Sequence, residues 1–109
     1  MEYVKALEAA SLPAGAMARV EVKGKEILIA NVAGSYYAVA DKCPHMGGSL
    51  AGGKLDGATV ICPKHGASFD VTSGQSCGNA RIAFLSLKVK PVECYAVKVE
   101  DGSILVGTL

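Results

Sequence analysis

The chain has 109 residues, a net charge of +1 and 50% hydrophobic residues, with 19% charged. This composition is that of one globular domain with its own core, and it excludes a disordered chain. The small net charge argues against a nucleic-acid partner, and no apolar run approaches the roughly 18 residues of a membrane span. The N-terminus lacks the basic and apolar segments of a signal peptide, so we expect a cytoplasmic protein whose thiols stay reduced.

Short apolar runs separated by turn residues follow one another along the chain, which predicts an all-β fold. The segment 4–10 fits either a short helix or a first strand. Tight hairpin turns are predicted at 23–26, 33–34 and 101–102. In chain order, the other predicted strands cover residues 20–22, 26–32, 35–40, 58–61, 84–89, 95–99 and 104–106.

The middle of the chain has a different composition, because eight of the 13 glycines lie between Gly47 and Gly78. A stretch so rich in loops is hard to stabilise by packing alone, so we expect another interaction to order it. The predicted single domain, 1–109, has a β scaffold formed by 1–40 and about 80–109, with an inserted subdomain at about 41–79.

Two short motifs in this insertion carry the clearest chemical signal: Cys43-Pro44-His45 and Cys62-Pro63-Lys64-His65. They contain both histidines of the chain and two of its four cysteines. Two thiolates and two imidazoles suit either a structural Zn²⁺ or a Rieske [2Fe–2S] cluster. Zinc fingers usually pair cysteine with cysteine and place the histidines on a helix. One cysteine and one histidine in each loop favours a two-iron cluster between facing loops.

These motifs and their flanks resemble the soluble Rieske-type ferredoxins of bacterial aromatic-ring dioxygenase systems. That family has C-P-H-x-G-x-x-L, then C-P-x-H-G-x-x-F-D, then a T-x-G turn, and this chain matches at 43–50, 62–70 and 72–74. The resemblance implies an antiparallel Rieske-type β-sandwich with a cluster-binding insertion. It also implies one [2Fe–2S] cluster, with Cys43 and Cys62 on the inner iron and His45 and His65 on the outer iron.

Departures from high-potential Rieske proteins sharpen the expected class. Gly48 and Lys64 stand where those proteins carry an extra disulfide, and Ala67 and Phe69 replace a serine and a tyrosine that donate to cluster sulfurs. Fewer donors stabilise the more negative reduced cluster less, so we predict a low reduction potential. The loop that covers the cluster in the family is expected at 78–80, here without its usual proline.

The histidine count then restricts the role. A terminal Rieske oxygenase also needs a mononuclear iron site with two further histidines, and this chain has none left. We therefore expect a monomeric carrier with no catalytic residues and no nucleic-acid or membrane partner. The resemblance implies a flavin-dependent ferredoxin reductase as electron donor and a terminal Rieske oxygenase as acceptor. The alternatives are an electron-transfer subunit of another enzyme, such as a nitrite reductase, and a zinc-stabilised binding module.

The charges around the two motifs allow two interpretations. Lys42, Lys54 and Lys64 form either a rim that orients an acidic partner or a solvated fringe balanced by Asp41 and Asp56.

Three other residues have simpler expected roles. We expect Asp70 to cap a turn, Cys77 to be a reduced thiol without function, and Cys94 to be a small packing residue in a strand.

Overall fold

A computed structural model describes residues 2–42, 49–63, 67–78, 80–82, 85–87 and 92–108. Within these ranges the chain is almost entirely β, as predicted, with 3₁₀ segments at Ala9–Ser11 and Leu50–Gly52. The strands are β1 (Glu2–Glu8), β2 (Met17–Val22), β3 (Lys25–Val32), β4 (Ser35–Ala40), β5 (Lys54–Asp56), β6 (Thr59–Ile61), β7 (Ser68–Asp70), β8 (Ser76–Gly78), β9 (Ala80–Ile82), β10 (Leu85–Leu87), β11 (Cys94–Glu100) and β12 (Ser103–Thr108).

The largest sheet has six antiparallel strands in the order β1-β12-β11-β4-β3-β2, and we call it the scaffold sheet. Its predicted hairpins are confirmed. The two-residue turns at Lys23-Gly24, Ala33-Gly34 and Asp101-Gly102 have positive φ at both positions, which suits the twist of a tight hairpin. The segment 4–10 begins as β1 and ends in a 3₁₀ turn, so the strand alternative is the right one.

Strand β3 is buried on both faces and separates two apolar clusters. Ile27 and Ile29 point to one side, where they pack in a cluster with Ile104 of β12. Leu28 and Ala30 point to the other side and belong to a second cluster. The alternation follows from the two-residue period of a strand, so the two faces of β3 contribute side chains to two different clusters.

A smaller antiparallel sheet, β5-β6-β7-β8, lies against the second cluster, and we call it the insert sheet. Val60 of β6 and Phe69 of β7 are directly opposed, fully buried and part of the same cluster as Leu28. The two sheets are therefore joined by a continuous apolar core.

Strands β9 and β10 form a separate two-stranded sheet. Of the strand predicted at 84–89, Leu85–Leu87 is observed, and the remaining positions lie outside the described residues. Nowhere in the described ranges is there a helix with the length and apolar character of a membrane span.

Candidate metal centre

Three of the four predicted ligands, Cys43, His45 and His65, lie outside the described residues, and so does Lys64. The fourth, Cys62, is described. The residues on either side of both loops are also described.

The first loop, 43–48, is closed at its base by a single antiparallel β-bridge between Lys42 and Ser49. The backbone N–H of Leu50 also donates to the carbonyl of Asp41 at 2.7 Å. Asp41 follows directly after β4, so the scaffold sheet fixes where the first loop begins.

The Asp41 side chain ties the two ends of this loop together. Its carboxylate is fully buried; Oδ2 accepts from Ser49 Oγ at 2.6 Å, and Oδ1 accepts from the Ala51 N–H at 2.8 Å. Arg19 of β2 places Nε 3.4 Å from Oδ2 and also pairs with Glu26. Its hydrogen bond and charge contact with Glu26 raise the pKa of Arg19, with a smaller contribution from Asp41.

Sequence reasoning missed this role, because it treated Asp41 as a solvated counter-charge. Instead the carboxylate is inside the protein, where it stays only because donors and a cation surround it. The available signal was its position: a lone acidic residue between the apolar strand Ser35–Ala40 and a ligand loop.

The second loop begins after β6 and ends before β7, and its two ends are held together. The Cys62 N–H donates to the Ala67 carbonyl at 2.7 Å, and Ile61 pairs with Ser68 just before it. Cys62 is only 3% exposed and packs in the same apolar cluster as Ala67 and Phe69. A buried sulfur in an apolar surround fits the inner-iron thiolate of a Rieske site.

A close backbone contact brings the bases of the two loops together. Gly53 follows the segment that Asp41 anchors, and a Cβ there would lie 1.9 Å from the Ile61 carbonyl oxygen and 3.1 Å from Cδ of Pro63. Only glycine fits at this position. The segment after the first loop therefore lies directly against the segment before the second loop. A site shared by both loops requires this proximity.

A turn on the far side of β7 joins the insert sheet to the scaffold. Asp70 Oδ1 accepts from the N–H and Oγ1 of Thr72 at 2.9 and 2.6 Å, so the predicted capping role is confirmed. These bonds hold the pKa of Asp70 below its usual value. Gly74 ends the turn, and its carbonyl accepts from the Val92 N–H at 2.8 Å, just before β11.

Cys94 is in a strand, as expected, but the expectation that it packs in the interior was wrong. It is exposed at the start of β11 and lines a cavity of about 240 Å³ together with Tyr36, Thr72 and Tyr95. Partial desolvation, with a contribution from the charge of Asp70, raises the pKa of its thiol. The thiol therefore lies in a groove at the surface and does not fill the core.

Comparison with known proteins shows the family and the fold. Residues 2–96 match the model of the Rieske [2Fe-2S] domain. The 3-phenylpropionate/cinnamic acid dioxygenase ferredoxin subunit of Escherichia coli is 35% identical over 107 residues, which cover 97% of this chain and 93% of that protein.

Two solved structures have the same fold over nearly the whole chain. The ferredoxin of carbazole 1,9a-dioxygenase from Nocardioides aromaticivorans is 28% identical with a TM-score of 0.83, covering 97% of both chains. A second match is 30% identical with a TM-score of 0.81, covering 95% of this chain and 91% of that chain. It comes from a complex of reduced oxygenase and oxidized ferredoxin in carbazole 1,9a-dioxygenase.

Proposed function

Since the chain belongs to the Rieske [2Fe–2S] family, we propose that Cys43, His45, Cys62 and His65 hold one cluster with which it carries single electrons. The predicted family, cofactor and electron-carrier role are confirmed by the domain match and by the ferredoxin relatives. The assignment of the four ligands is our proposal. It is supported above all by the close approach of the Gly53 backbone to Ile61, which leaves no room for a Cβ and brings the bases of the two loops together.

When bound, the cluster supplies one-electron redox chemistry. The described residues hold the loops for it. Asp41 holds the two ends of the first loop together. The Cys62–Ala67 hydrogen bond holds the two ends of the second loop together. Gly53 allows the bases of the two loops to approach closely.

We further propose a flavin-dependent reductase as the electron donor and a terminal Rieske oxygenase acting on an aromatic compound as the acceptor. Two observations support the oxygenase. The Escherichia coli relative is named as a dioxygenase ferredoxin subunit, and a structural relative was solved with its oxygenase. The reductase rests on the family resemblance alone. We also propose a cytoplasmic location, because thiols that are to bind a metal stay reduced in that compartment.

The first experiment identifies the metal centre and its ligands. The purified protein should be red-brown, contain two irons and two sulfides, and give a reduced EPR signal with average g below 2. His45→Val should abolish that signal, whereas Cys94→Ser should retain it because Cys94 lies outside the ligand loops. A colourless protein with one equivalent of zinc, or an unchanged signal in His45→Val, would overturn the proposal.

A redox titration tests the predicted low potential. Ala67 and Phe69 are fully buried beside Cys62 and carry no hydroxyl. We expect a midpoint near the lower end of the Rieske range of about −150 to +300 mV. Phe69→Tyr should raise it if the new hydroxyl reaches a ligand sulfur, and Phe69→Leu serves as the control without a donor. A clearly positive midpoint in the unmodified protein contradicts the prediction.

A further inference from the structure

The basic side chains of the scaffold sheet share one property: each has a partner. The described contacts are Lys5 with Glu8, Arg19 with Glu26 and Asp41, Lys23 with Glu2, Lys25 over the Tyr95 ring, and Lys98 with Glu100 and the Tyr3 ring. Their positive charge is therefore offset locally, or spread over an aromatic face.

Lys42 and Lys54 are different. Both are exposed, and neither side chain makes an ion pair, hydrogen bond or ring contact with any described residue. All ten Asp and Glu residues of the chain lie within the described ranges. No aspartate or glutamate side chain of this protein therefore forms a direct ion pair with either lysine.

The strand register places both lysines at the end of the molecule where the ligand loops emerge. Lys42 forms the bridge with Ser49 at the base of the first loop. Lys54 pairs with Ile61, the residue before Cys62, at the base of the second loop.

The carboxylates near this sheet lie elsewhere. Thr59 pairs with both Asp56 and Asp70, so these two acids mark the opposite end of β5, β6 and β7 from Lys54. Asp41 is at the loop end, but it is buried and paired with Arg19. The insert sheet therefore carries exposed positive charge at the loop end and negative charge at the other end.

We propose that Lys42 and Lys54 form a basic rim that docks the loop end onto a carboxylate-bearing surface of the protein that receives the electron. This inference rests on the proposed electron-carrier function. The chain's net charge of +1 gives little long-range field, so local unpaired charges decide how it meets a partner. Unpaired rim charges raise the association rate and set orientation, and their effect weakens as salt screens them.

Voltammetry of the holoprotein on two kinds of electrode monolayer provides a defined probe of this rim. A carboxylate-terminated film presents the proposed partner chemistry, and an ammonium-terminated film presents the opposite one. On the carboxylate film at low ionic strength, Lys42→Glu/Lys54→Glu should lower the rate of electron transfer about tenfold or more. Added salt should reduce the difference from the unmodified protein.

Three further variants make the result interpretable. Lys5→Glu/Lys98→Glu changes the net charge by the same amount on the scaffold sheet and should leave the rate on the carboxylate film within about twofold. Lys42→Arg/Lys54→Arg keeps the charge and should keep the rate. If the glutamate pair does not fold, Lys42→Gln/Lys54→Gln should show a smaller loss in the same direction.

The outcomes separate this proposal from the proposed function. An equal fall in the rim and scaffold variants shows that only net charge matters and overturns the rim, as does an unchanged rate in the rim variants. Faster electron transfer of the unmodified protein on the ammonium film also overturns it. Absence of a redox wave on either film, together with absence of the cluster's absorbance, refutes the electron-carrier function itself.

Discussion

The scaffold sheet and the insert sheet reach their structures in different ways. The scaffold strands described here are six to eight residues long, joined in three places by two-residue turns, and cover the cluster that contains Ile27, Ile29 and Ile104. The insert strands are each three residues long. Their positions are fixed by two carboxylates, the buried Asp41 and the turn-capping Asp70. Two glycines, Gly53 and Gly74, lie so close to neighbouring backbone that a Cβ would not fit.

This difference shows which interactions each region depends on. Long paired strands over an apolar core are stabilised mainly by burial, which is non-directional and tolerates small changes. Three-residue strands form few ladder hydrogen bonds, so although Val60 and Phe69 are buried, the geometry of the insert sheet also depends on a few directional contacts. Binding of the proposed cluster by these loops would then contribute directly to the stability of the insert sheet, because its binding free energy is available only in the folded state.

Removal of the cluster is the strongest test of this contrast. In His45→Val, or after iron chelation, amide protection in Lys54–Asp56 and Thr59–Ile61 should fall far more than in Lys25–Val32. Hydrogen exchange followed by mass spectrometry measures this directly. Equal loss of protection in both sheets would show that the cluster stabilises the whole molecule, and the contrast would be wrong.

The next largest effect is expected from adding a side chain at Gly74. At Gly74 a Cβ would lie 2.2 Å from the Val92 carbonyl oxygen, and φ is +77°. Gly74→Ala should lower the free energy of unfolding by about 2–5 kcal/mol, because overpacking adds to the cost of a left-handed residue. Gly57→Ala is the matched control, since φ there is +60° but a Cβ meets open space.

Denaturant unfolding of both variants separates steric from conformational cost. The control should lose only about 1–2 kcal/mol. Similar losses in the two variants would mean that the Val92 region moves away easily, and that the turn does not hold the insert sheet against the scaffold.

The same contrast decided what the sequence could predict. The scaffold was predictable because its alternating strands and its Lys23-Gly24, Ala33-Gly34 and Asp101-Gly102 turns are local signals. In the insertion the sequence predicted the Cys/His boxes, the strand at 58–61 that is observed as β6, and the Asp70-to-Gly74 turn.

The contacts of Asp41 and Gly53 could not be foreseen in this way. Each depends on partners from other segments: Arg19 of β2 for the carboxylate, and Ile61 of β6 for the glycine. No local pattern marks a residue whose role is set by a neighbour distant in sequence, and the charge of Asp41 pointed to the wrong environment.

Two buried polar side chains, one in each region, allow a matched comparison. Asp41 closes the first ligand loop, and Asn31 of β3 donates to the Leu12 carbonyl and accepts from the Gly34 N–H, both at 2.8 Å. Replacing either with alanine should cost about 2–4 kcal/mol, because buried partners lose their hydrogen bonds.

The two variants should differ in how they hold the cluster. Asp41→Ala should lose iron to a chelator several times faster than the unmodified protein at a temperature where both stay folded. Asn31→Ala should lose it at the unmodified rate, because its contacts lie in the scaffold. The loss of iron is measured as the decay of the cluster's visible absorbance. Equal decay rates in Asp41→Ala and Asn31→Ala would show that Asp41 contributes only to general stability.

The smallest expected effect is the pH dependence of the Asp70 turn. The hydrogen bonds from Thr72 lower the pKa of Asp70, so the folded state favours its ionised form. That stabilisation is fully present above the unfolded pKa of about 3.9 and is lost as pH falls through the lower folded value. Thr72→Val removes one of the two bonds and should cost less than about 1 kcal/mol at pH 7, because the carboxylate is near solvent.

The free energy of unfolding is measured with denaturant at pH 7, 5, 4 and 3 for the unmodified protein and for Thr72→Val. Comparing the two proteins at each pH removes the effect of acid on the rest of the molecule. The stability gap between the unmodified protein and Thr72→Val should be constant from pH 7 to 5 and narrow towards pH 3. In an Asp70→Asn background the gap should no longer depend on pH, because the titrating group is absent. A gap that widens in acid would mean that Thr72 stabilises the turn without sensing the charge of Asp70, and the cap would then act through geometry alone.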